Sequence, residues 1–190
     1  MNMKKNNTDK AFSKKLASDF SASLNLDKRL YKEDIELSVA YSKALKKIDI
    51  LTNTEQKSIE KALKNIYQDI KKDKFKWRLD LEDIHMNIES RLHDLLGPFA
   101  GKIHTGKSRN DQVSTIERMY VKNSINELLI KIEKLQKEIV LKAEKSIEIY
   151  MPSYTHLQRA QPVLLSHHLM AYHEMLQRDK SRLKNCYEIA

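Results

Sequence analysis

Residues 101–112, Gly-Lys-Ile-His-Thr-Gly-Lys-Ser-Arg-Asn-Asp-Gln, concentrate basic, hydroxyl and amide groups of the kind that bind anions. The segment lies between two strongly helical patterns, which predicts a loop that opens onto a helix. Unpaired N–H groups and the positive end of the dipole at a helix start attract anions. The chain's three glycines, at 97, 101 and 106, lie before or inside this segment and indicate unusual backbone angles or close ligand approach. A solvated turn is the alternative, but the combination of side chains favours a functional loop.

A second polar segment, residues 153–162, carries the best candidate for acid–base chemistry. His156 lies there between two predicted helices, and histidine is the usual proton-transfer group near neutral pH. The neighbouring Thr155 and Gln158 can orient a substrate, and Arg159 can bind a carboxylate through its planar fork. His167 and His168 follow beside apolar residues, which favours packing roles or a supporting role behind the site for both.

His85 is open to two interpretations. It lies four residues before Glu89, a spacing that lets both side chains face each other across one helical turn. It is then either a structural histidine oriented by Glu89 or part of a polar pocket.

Patterns typical of metal and phosphate sites are missing from the sequence. There is no His-Glu-x-x-His pair, no Gly-rich phosphate loop and no Gly-x-Ser-x-Gly elbow. The single cysteine, Cys186, excludes a multi-cysteine metal site and an intrachain disulfide framework. We therefore expect no metal.

The elements that position these segments are predicted to be helical throughout. Thr52 and Glu55 form a capping-box pattern before a helix with a narrow apolar stripe. Residues 84–95 predict another helix, which Gly97-Pro98 stops. Because no sustained two-residue alternation occurs, we predict an all-α fold without a sheet.

The longest predicted helix runs from about residue 110 to 150, with apolar residues near a seven-residue period from Ile125 to Ile147. Stripes of this length are buried against other long helices in a bundle or between subunits. Met151-Pro152 is predicted to end the helix, and Pro162 to begin a last one that continues to Ala190 without a stop signal. We therefore expect the chain to be truncated.

The formal net charge of +9 raises the alternative of a basic nucleic-acid binder, although no zinc-finger spacing or RNA-reading motif accompanies it. No apolar run is long enough to span a bilayer, and a cytoplasmic location is expected. We divide the chain into a Lys-rich arm (1–20), an N-terminal helical domain (21–109) and the start of a long-helix bundle (110–190).

Three motifs together carry a family resemblance. They are residues 82–89 (Glu-Asp-Ile-His-Met-Asn-Ile-Glu), residues 101–113, and residues 151–162 (Met-Pro-Ser-Tyr-Thr-His-Leu-Gln-Arg-Ala-Gln-Pro). In order and spacing, from about Phe20 to the end, the chain resembles the argininosuccinate lyases of the fumarase/aspartase superfamily.

The resemblance implies a reaction and an assembly. Members of the family cleave argininosuccinate to arginine and fumarate by β-elimination in arginine biosynthesis, without metal or organic cofactor. They are homotetramers built around a twenty-helix core, with each active site drawn from three subunits, and no nucleic acid or membrane takes part. Family members are more than twice as long, and their mobile loop with the catalytic serine does not occur here. The 190-residue chain alone is therefore expected to be inactive.

The resemblance also assigns roles to residues. By family position, Ser23, Asn110 and Thr155 should contact substrate, with Ser108 and Arg109 beside Asn110. His156 should be the acid/base residue or its close partner. His85 and His104 should line or support the pocket, and Gln158 should support it. Lys107 stands where the family more often has arginine, which keeps the charge but loses the fork.

Two further alternatives stay open at this stage. One is a lyase acting on another succinyl adduct, such as adenylosuccinate, although the Ser-Arg-Asn-Asp-Gln run argues against it. The other is a non-enzymatic structural homologue, because lens crystallins use the same scaffold without catalysis.

Overall fold

The computed structural model describes Leu16 and residues 20–190, and these divide into two compact units, the first ending at Glu117 and the second running from Arg118 to Ala190. The described part confirms the mainly helical fold, with six α-helices and one small hairpin. The predicted arm, residues 1–20, falls almost wholly outside the described residues, and the domain boundary at 109/110 stays a prediction. In chain order the elements are α1 (Leu24–Asp27), α2 (Tyr31–Lys47), α3 (Asn53–Lys71), α4 (Ile84–Leu96), α5 (Arg109–Glu144), β1 (Tyr150–Thr155), β2 (Gln158–Leu164) and α6 (Leu165–Ile189).

The first unit is built by α2, α3 and α4, which pack in sequence on one another. Short 3₁₀ segments flank these helices: Lys28–Leu30 precedes α2, Leu79–Leu81 lies between α3 and α4, and Pro98–His104 follows α4. The apolar stripe of α3 lies at the centre of the core, because Ile59, Leu63 and Ile66 are fully buried. The other buried apolar residues of this core are Leu24, Ile35, Leu45, Leu51, Ala62, Ile84, Ile88, Leu92, Ala100 and Ile103.

Local signals in the sequence set the ends of two helices. Thr52 Oγ1 accepts from the Glu55 N–H at 3.2 Å, and Glu55 Oε2 accepts from the Thr52 N–H at 2.8 Å, which is the predicted capping box. Gly97 ends α4 with a φ of +76°, a left-handed conformation that glycine adopts without a steric penalty. Both predictions are confirmed.

Helix α2 has a polar buried face, which explains its loose apolar pattern. Asp34, Ser38 and Ser42 recur every four residues and are all buried, alongside Ile35 and Leu45. Ser42 is satisfied by donating to the Val39 carbonyl at 2.7 Å. Buried polar groups need hydrogen-bond partners, so this face indicates a polar network inside the unit.

Helix α5 has 36 residues, so it is about 54 Å long at 1.5 Å per residue. It ends at Glu144, so the prediction that it reaches Tyr150 is wrong. In the second unit α6 runs antiparallel to it, as Gln136 Nε2 donates to the His173 carbonyl at 3.2 Å and Lys180 pairs with Glu133 at 3.0 Å. Among the described helices, none is both long and apolar enough to cross a membrane.

Strands β1 and β2 form an antiparallel hairpin, so the prediction of a fold without a sheet is wrong for residues 150–164. Pro162 lies in β2, opposite Pro152, and does not begin the last helix, which starts at Leu165. The missing N–H groups of both prolines remove ladder bonds, and a register irregularity lies between Pro152 and Tyr154. These features hide the two-residue alternation that would have predicted the strands.

Candidate functional site

Tyr41 of α2 holds the loop that precedes α5. Its hydroxyl donates to the Thr105 carbonyl at 2.7 Å, and Lys107 Nζ lies 5.7 Å from the centroid of its ring. Gly106 has a φ of +70°, and a Cβ there would lie 3.6 Å from the same hydroxyl. The predicted need for glycine therefore holds at Gly106, whereas Gly101 has no positive φ and open space around it.

Ser108 and Asn110 mark the start of α5. The Asn110 N–H donates to Ser108 Oγ at 3.3 Å, and the Gln112 N–H donates to the Ser108 carbonyl at 3.2 Å. Both Ser108 and Asn110 are exposed. Their hydroxyl and amide groups therefore lie at the positive end of a long helix, where an anion is stabilised.

Glu89 of α4 gathers three basic side chains around one oxygen. Its Oε1 lies 3.3 Å from His104 Nδ1, 3.6 Å from Lys107 Nζ and 3.2 Å from Arg109 Nη1. The Lys107 side chain is only 6% exposed, and this burial lowers its pKa, against the opposing effect of the Glu89 charge. Arg109 Nε also lies 3.6 Å from Asp83 Oδ2, so its guanidinium lies between two carboxylates.

His85 does not pair with Glu89, so the predicted contact across one helical turn is wrong. The ring is buried, and its Nδ1 lies 2.9 Å from Asp34 Oδ1 of α2. Gln112 Nε2 donates to the same oxygen at 2.5 Å. Spacing within one helix could not predict this contact, because the competing carboxylate lies 51 residues earlier in the sequence.

Ser23 lies beside the segment that begins α4. Its N–H donates to the Glu82 carbonyl at 3.0 Å, and its Oγ donates to Asp27 Oδ2 at 2.6 Å. Asp27 Oδ1 is buried without a hydrogen-bond partner in the described part of the chain. Asp83, next to Glu82, caps α4 by accepting from the Met86 N–H at 2.7 Å and approaches Arg109.

In the first unit, one set of side-chain contacts links three of the predicted site residues, His85, His104 and Arg109. Arg109 is the shared member, since it meets Asp83, Glu89 with His104, and Gln112 with the Asp34–His85 pair. Two more predicted residues, Ser108 and Asn110, flank Arg109 in the sequence, and a sixth, Ser23, donates to the carbonyl of Glu82, the neighbour of Asp83.

The remaining predicted residues, Thr155, His156 and Gln158, lie in the second unit at the tip of the hairpin. Thr155 pairs with Gln158 across a two-residue turn formed by His156 and Leu157. Both turn residues have left-handed backbones, with φ of 50° and 62°, as a tight hairpin turn of this type requires. All four side chains are exposed, and Leu157 is 98% exposed.

Two features of the site were missed in the sequence. Asp34 had no motif to mark it, although its four-residue spacing to Ser38 and Ser42 was a signal of a buried polar face. Asp27 supports Ser23, but a carboxylate one turn from a serine is too common to single out. Asp83 supports Arg109, which lies too far along the sequence for a local pattern to reveal the contact. Within residues 20–190, no three His, Cys, Asp or Glu side chains are grouped to hold a metal ion.

Comparison of the sequence with known families gives one broad match. The family model described as Lyase matches residues 8–190. The chain is 48% identical over 168 residues to an argininosuccinate lyase from Hydrogenovibrio crunogenus. The match covers 88% of this chain and 36% of that protein, so the chain spans about a third of the length of this relative.

Solved structures share the fold. An EDDS lyase variant with bound fumarate superposes with a TM-score of 0.71 at 27% identity, covering 83% of this chain and 31% of that one. A fumarate lyase:delta crystallin from Brucella melitensis gives a TM-score of 0.71 at 19% identity, covering 84% of this chain and 41% of that one. At that identity, the second structure supports the fold alone.

Proposed function

The chain belongs to the lyase family whose model it matches, as its motifs predicted, and we propose that it serves the β-elimination of argininosuccinate to arginine and fumarate. The observation that carries this proposal is the 48% identity to a named argininosuccinate lyase across 88% of the chain. That stretch contains the network centred on Arg109. The fumarate bound in the related EDDS lyase variant supports the same product class.

The proposed reaction places specific demands on the site. A base takes a proton from the carbon beside a carboxylate, the freed electron pair forms the C=C bond of fumarate, and the C–N bond to the guanidinium breaks. Negative charge builds on the carboxylate before that bond breaks, so preorganised donors are needed around it. Ser108 and Asn110 at the start of α5, with Arg109 between them, supply donors of this kind.

Further roles are proposed from family position. Ser23 contacts substrate beside Asp27, and His85 and His104 support the pocket. Thr155 contacts substrate, Gln158 supports the site, and His156 acts as the acid/base residue or as its close partner. The exposed hairpin tip suits this role, because its side chains are free to meet a ligand or another subunit.

The proposal extends to assembly and location. We propose a cytoplasmic homotetramer in which subunits share each active site, with no cofactor. The long apolar stripe on α5 supports assembly, since part of it stays exposed in the chain.

A chimera provides the direct test. This chain replaces the aligned 168 residues of the Hydrogenovibrio crunogenus enzyme, and fumarate release is measured with argininosuccinate, adenylosuccinate and EDDS. Turnover of argininosuccinate alone is the expected result. If the chimera turns over another succinyl adduct and not argininosuccinate, the proposed substrate is wrong. The 190-residue chain by itself is expected to release no fumarate.

A histidine substitution tests the catalytic assignment in the same chimera. His156→Asn should lower kcat by about 10²- to 10⁴-fold, the usual contribution of general acid–base catalysis. His167→Asn, which changes an exposed histidine of α6, is the matched control and should leave kcat unchanged. Near-normal turnover by the His156→Asn chimera would remove His156 from the mechanism.

A further inference from the structure

Asp34 is a buried carboxylate to which the proposed mechanism gives no part. The residue is 1% exposed and lies in the first turn of α2, where the helix dipole favours its negative charge. Its Oδ1 makes hydrogen-bond contacts with two side chains from separate elements, His85 of α4 and Gln112 of α5. A buried carboxylate with two such partners connects three helices at one atom.

The contact with Asp34 fixes the proton of His85. A carboxylate oxygen only accepts hydrogen bonds, so the ring nitrogen that faces it, Nδ1, carries the hydrogen. In the neutral ring, Nε2 is then the acceptor. Hydrogen bonding at one ring nitrogen is the usual means by which a protein selects the tautomer of a functional histidine.

The same oxygen also fixes Gln112. Because Asp34 Oδ1 only accepts and Arg109 only donates, the buried amide has a single orientation that satisfies both neighbours. Its Nε2 donates to Asp34 at 2.5 Å, and its Oε1 accepts from Arg109 Nη1 at 2.7 Å. The position of the guanidinium is therefore set from the interior by Asp34 as well as from the surface by Glu89.

We propose that Asp34 is a positioning residue: it holds His85 as the tautomer with an accepting Nε2, and through Gln112 it orients Arg109. The benefit for catalysis rests on the proposed function, whereas the tautomer and the orientation do not. The proposal is specific because an apolar residue would fill the same space without selecting the tautomer of His85 or the orientation of Gln112.

The test uses the 190-residue chain labelled with ¹⁵N-histidine, at a pH well above the ordinary pKa of histidine. Long-range ¹H–¹⁵N spectra distinguish protonated from unprotonated ring nitrogens, and the His85→Gln chain identifies the His85 signals by their loss. We expect a protonated Nδ1 and an unprotonated Nε2. A proton on Nε2 in the unaltered chain would overturn the proposal without any variant.

Two variants and a control separate the parts of the proposal. Asp34→Leu, which removes the acceptor oxygen, should abolish the fixed Nδ1–H signal of His85. Gln112→Met should keep that signal and, in a chain also labelled with ¹⁵N-arginine, shift the Arg109 Nε resonance. Glu36→Gln, which removes one exposed charge from the same helix, should change neither. An Asp34→Leu chain with native circular dichroism and an unchanged His85 signal would contradict the assignment.

The chimera connects the tautomer to catalysis. Asp34→Leu should lower its kcat by about 10- to 100-fold, the loss seen when partners that orient metal-binding histidines are removed, with little change in KM. If the chimera is active and its Asp34 variant keeps the full kcat, Asp34 has no positioning role in catalysis. If the expected tautomer is observed but the unaltered chimera is inactive, the proposed function fails and the geometry stands.

Discussion

At the scale of single residues, Arg109 connects the candidate site because its planar guanidinium reaches acceptors on three different side chains. It donates to Glu89 and Gln112 from one nitrogen and faces Asp83 with another. A lysine carries all its N–H donors on one nitrogen, whereas the fork spreads them over several nitrogens and so reaches acceptors that lie far apart. The neighbouring Lys107 illustrates the difference, since its Nζ lies 3.6 Å from Glu89 and pairs with no other carboxylate oxygen in the described part of the chain.

We expect Arg109→Lys to destabilise the first unit by about 1–2 kcal/mol, because hydrogen bonds to charged groups are lost at a half-buried position. Urea unfolding followed by the fluorescence of Trp77, the single tryptophan of the chain, measures the change. Arg78→Lys is the matched control, because its ion pair with Asp80 is exposed on both sides. Equal unfolding midpoints for the two variants would refute the role given to the fork.

Glu55 makes the first unit sensitive to acid. Its hydrogen bond from Lys102, at 2.7 Å, lowers the pKa of the carboxyl from 4.5 to about 2, with help from the Thr52 backbone. A folded pKa below the unfolded value gives stability that is present above pH 4.5 and is lost as the pH falls towards about 2.

When the pH is lowered from 4.5 to about 2, the urea midpoint of the unaltered chain should fall. We expect a smaller fall in Glu55→Gln, because that variant lacks the titrating carboxyl. Lys102→Met should remove most of the acid sensitivity that Glu55→Gln removes, because it removes the main cause of the pKa shift and leaves only the smaller effect of Thr52. Lys43→Met, whose Nζ is 4.0 Å from Glu60, is the control and should keep it. An identical pH dependence in all four chains would exclude the Glu55–Lys102 pair as its source.

At the scale of elements, the hairpin places a functional candidate on a strained turn. His156 and Leu157 both adopt left-handed backbones, although neither is glycine, asparagine or aspartate. This conformation costs about 1–2 kcal/mol for each ordinary residue. Strain of this kind is retained where surrounding structure or function requires it, and it fits a hairpin tip that presents His156.

Leu157→Gly should stabilise the hairpin by about 1 kcal/mol, since glycine adopts this backbone without the steric cost. Hydrogen exchange of the cross-strand amides of β1 and β2 measures the change. Leu157→Ala is the control, because alanine removes the apolar side chain but keeps the Cβ that causes the strain. Slower exchange in both variants would attribute the effect to the loss of the exposed leucine instead.

The elements also show which parts of the fold are local in origin. The capping box at Thr52 and the stop at Gly97 depend on residues within one turn, so their patterns predicted them correctly. The hairpin was missed because prolines interrupt its ladder and its turn lacks the usual Asn-Gly signal. The Asp34 network was missed because its contacts join residues 51 and 78 positions apart, which no local period reveals.

At the scale of the whole molecule, α5 carries more apolar surface than the chain covers. Val121, Leu128 and Leu135 recur every seven residues and remain 36%, 45% and 51% exposed. Ile125, one helical turn from Val121, is buried, and α6 supplies polar contacts at Gln136 and Glu133. A heptad of exposed apolar residues on a long helix is typical of a surface that packs against another helix.

We expect the 190-residue chain to self-associate through this heptad, in keeping with the proposed homotetramer. Burial of such side chains contributes about 25 cal/mol for each Å² removed from water, and charges introduced there would have to be desolvated at the interface. Leu128→Lys with Leu135→Lys should therefore shift the chain to smaller species in sedimentation equilibrium. The matched control is Ile48→Lys with Leu79→Lys, which places the same charges on exposed apolar positions of the first unit, 65% and 58% exposed. If both double variants associate as the unaltered chain does, the heptad is not the interface; if the control alone dissociates, the contact lies on the first unit.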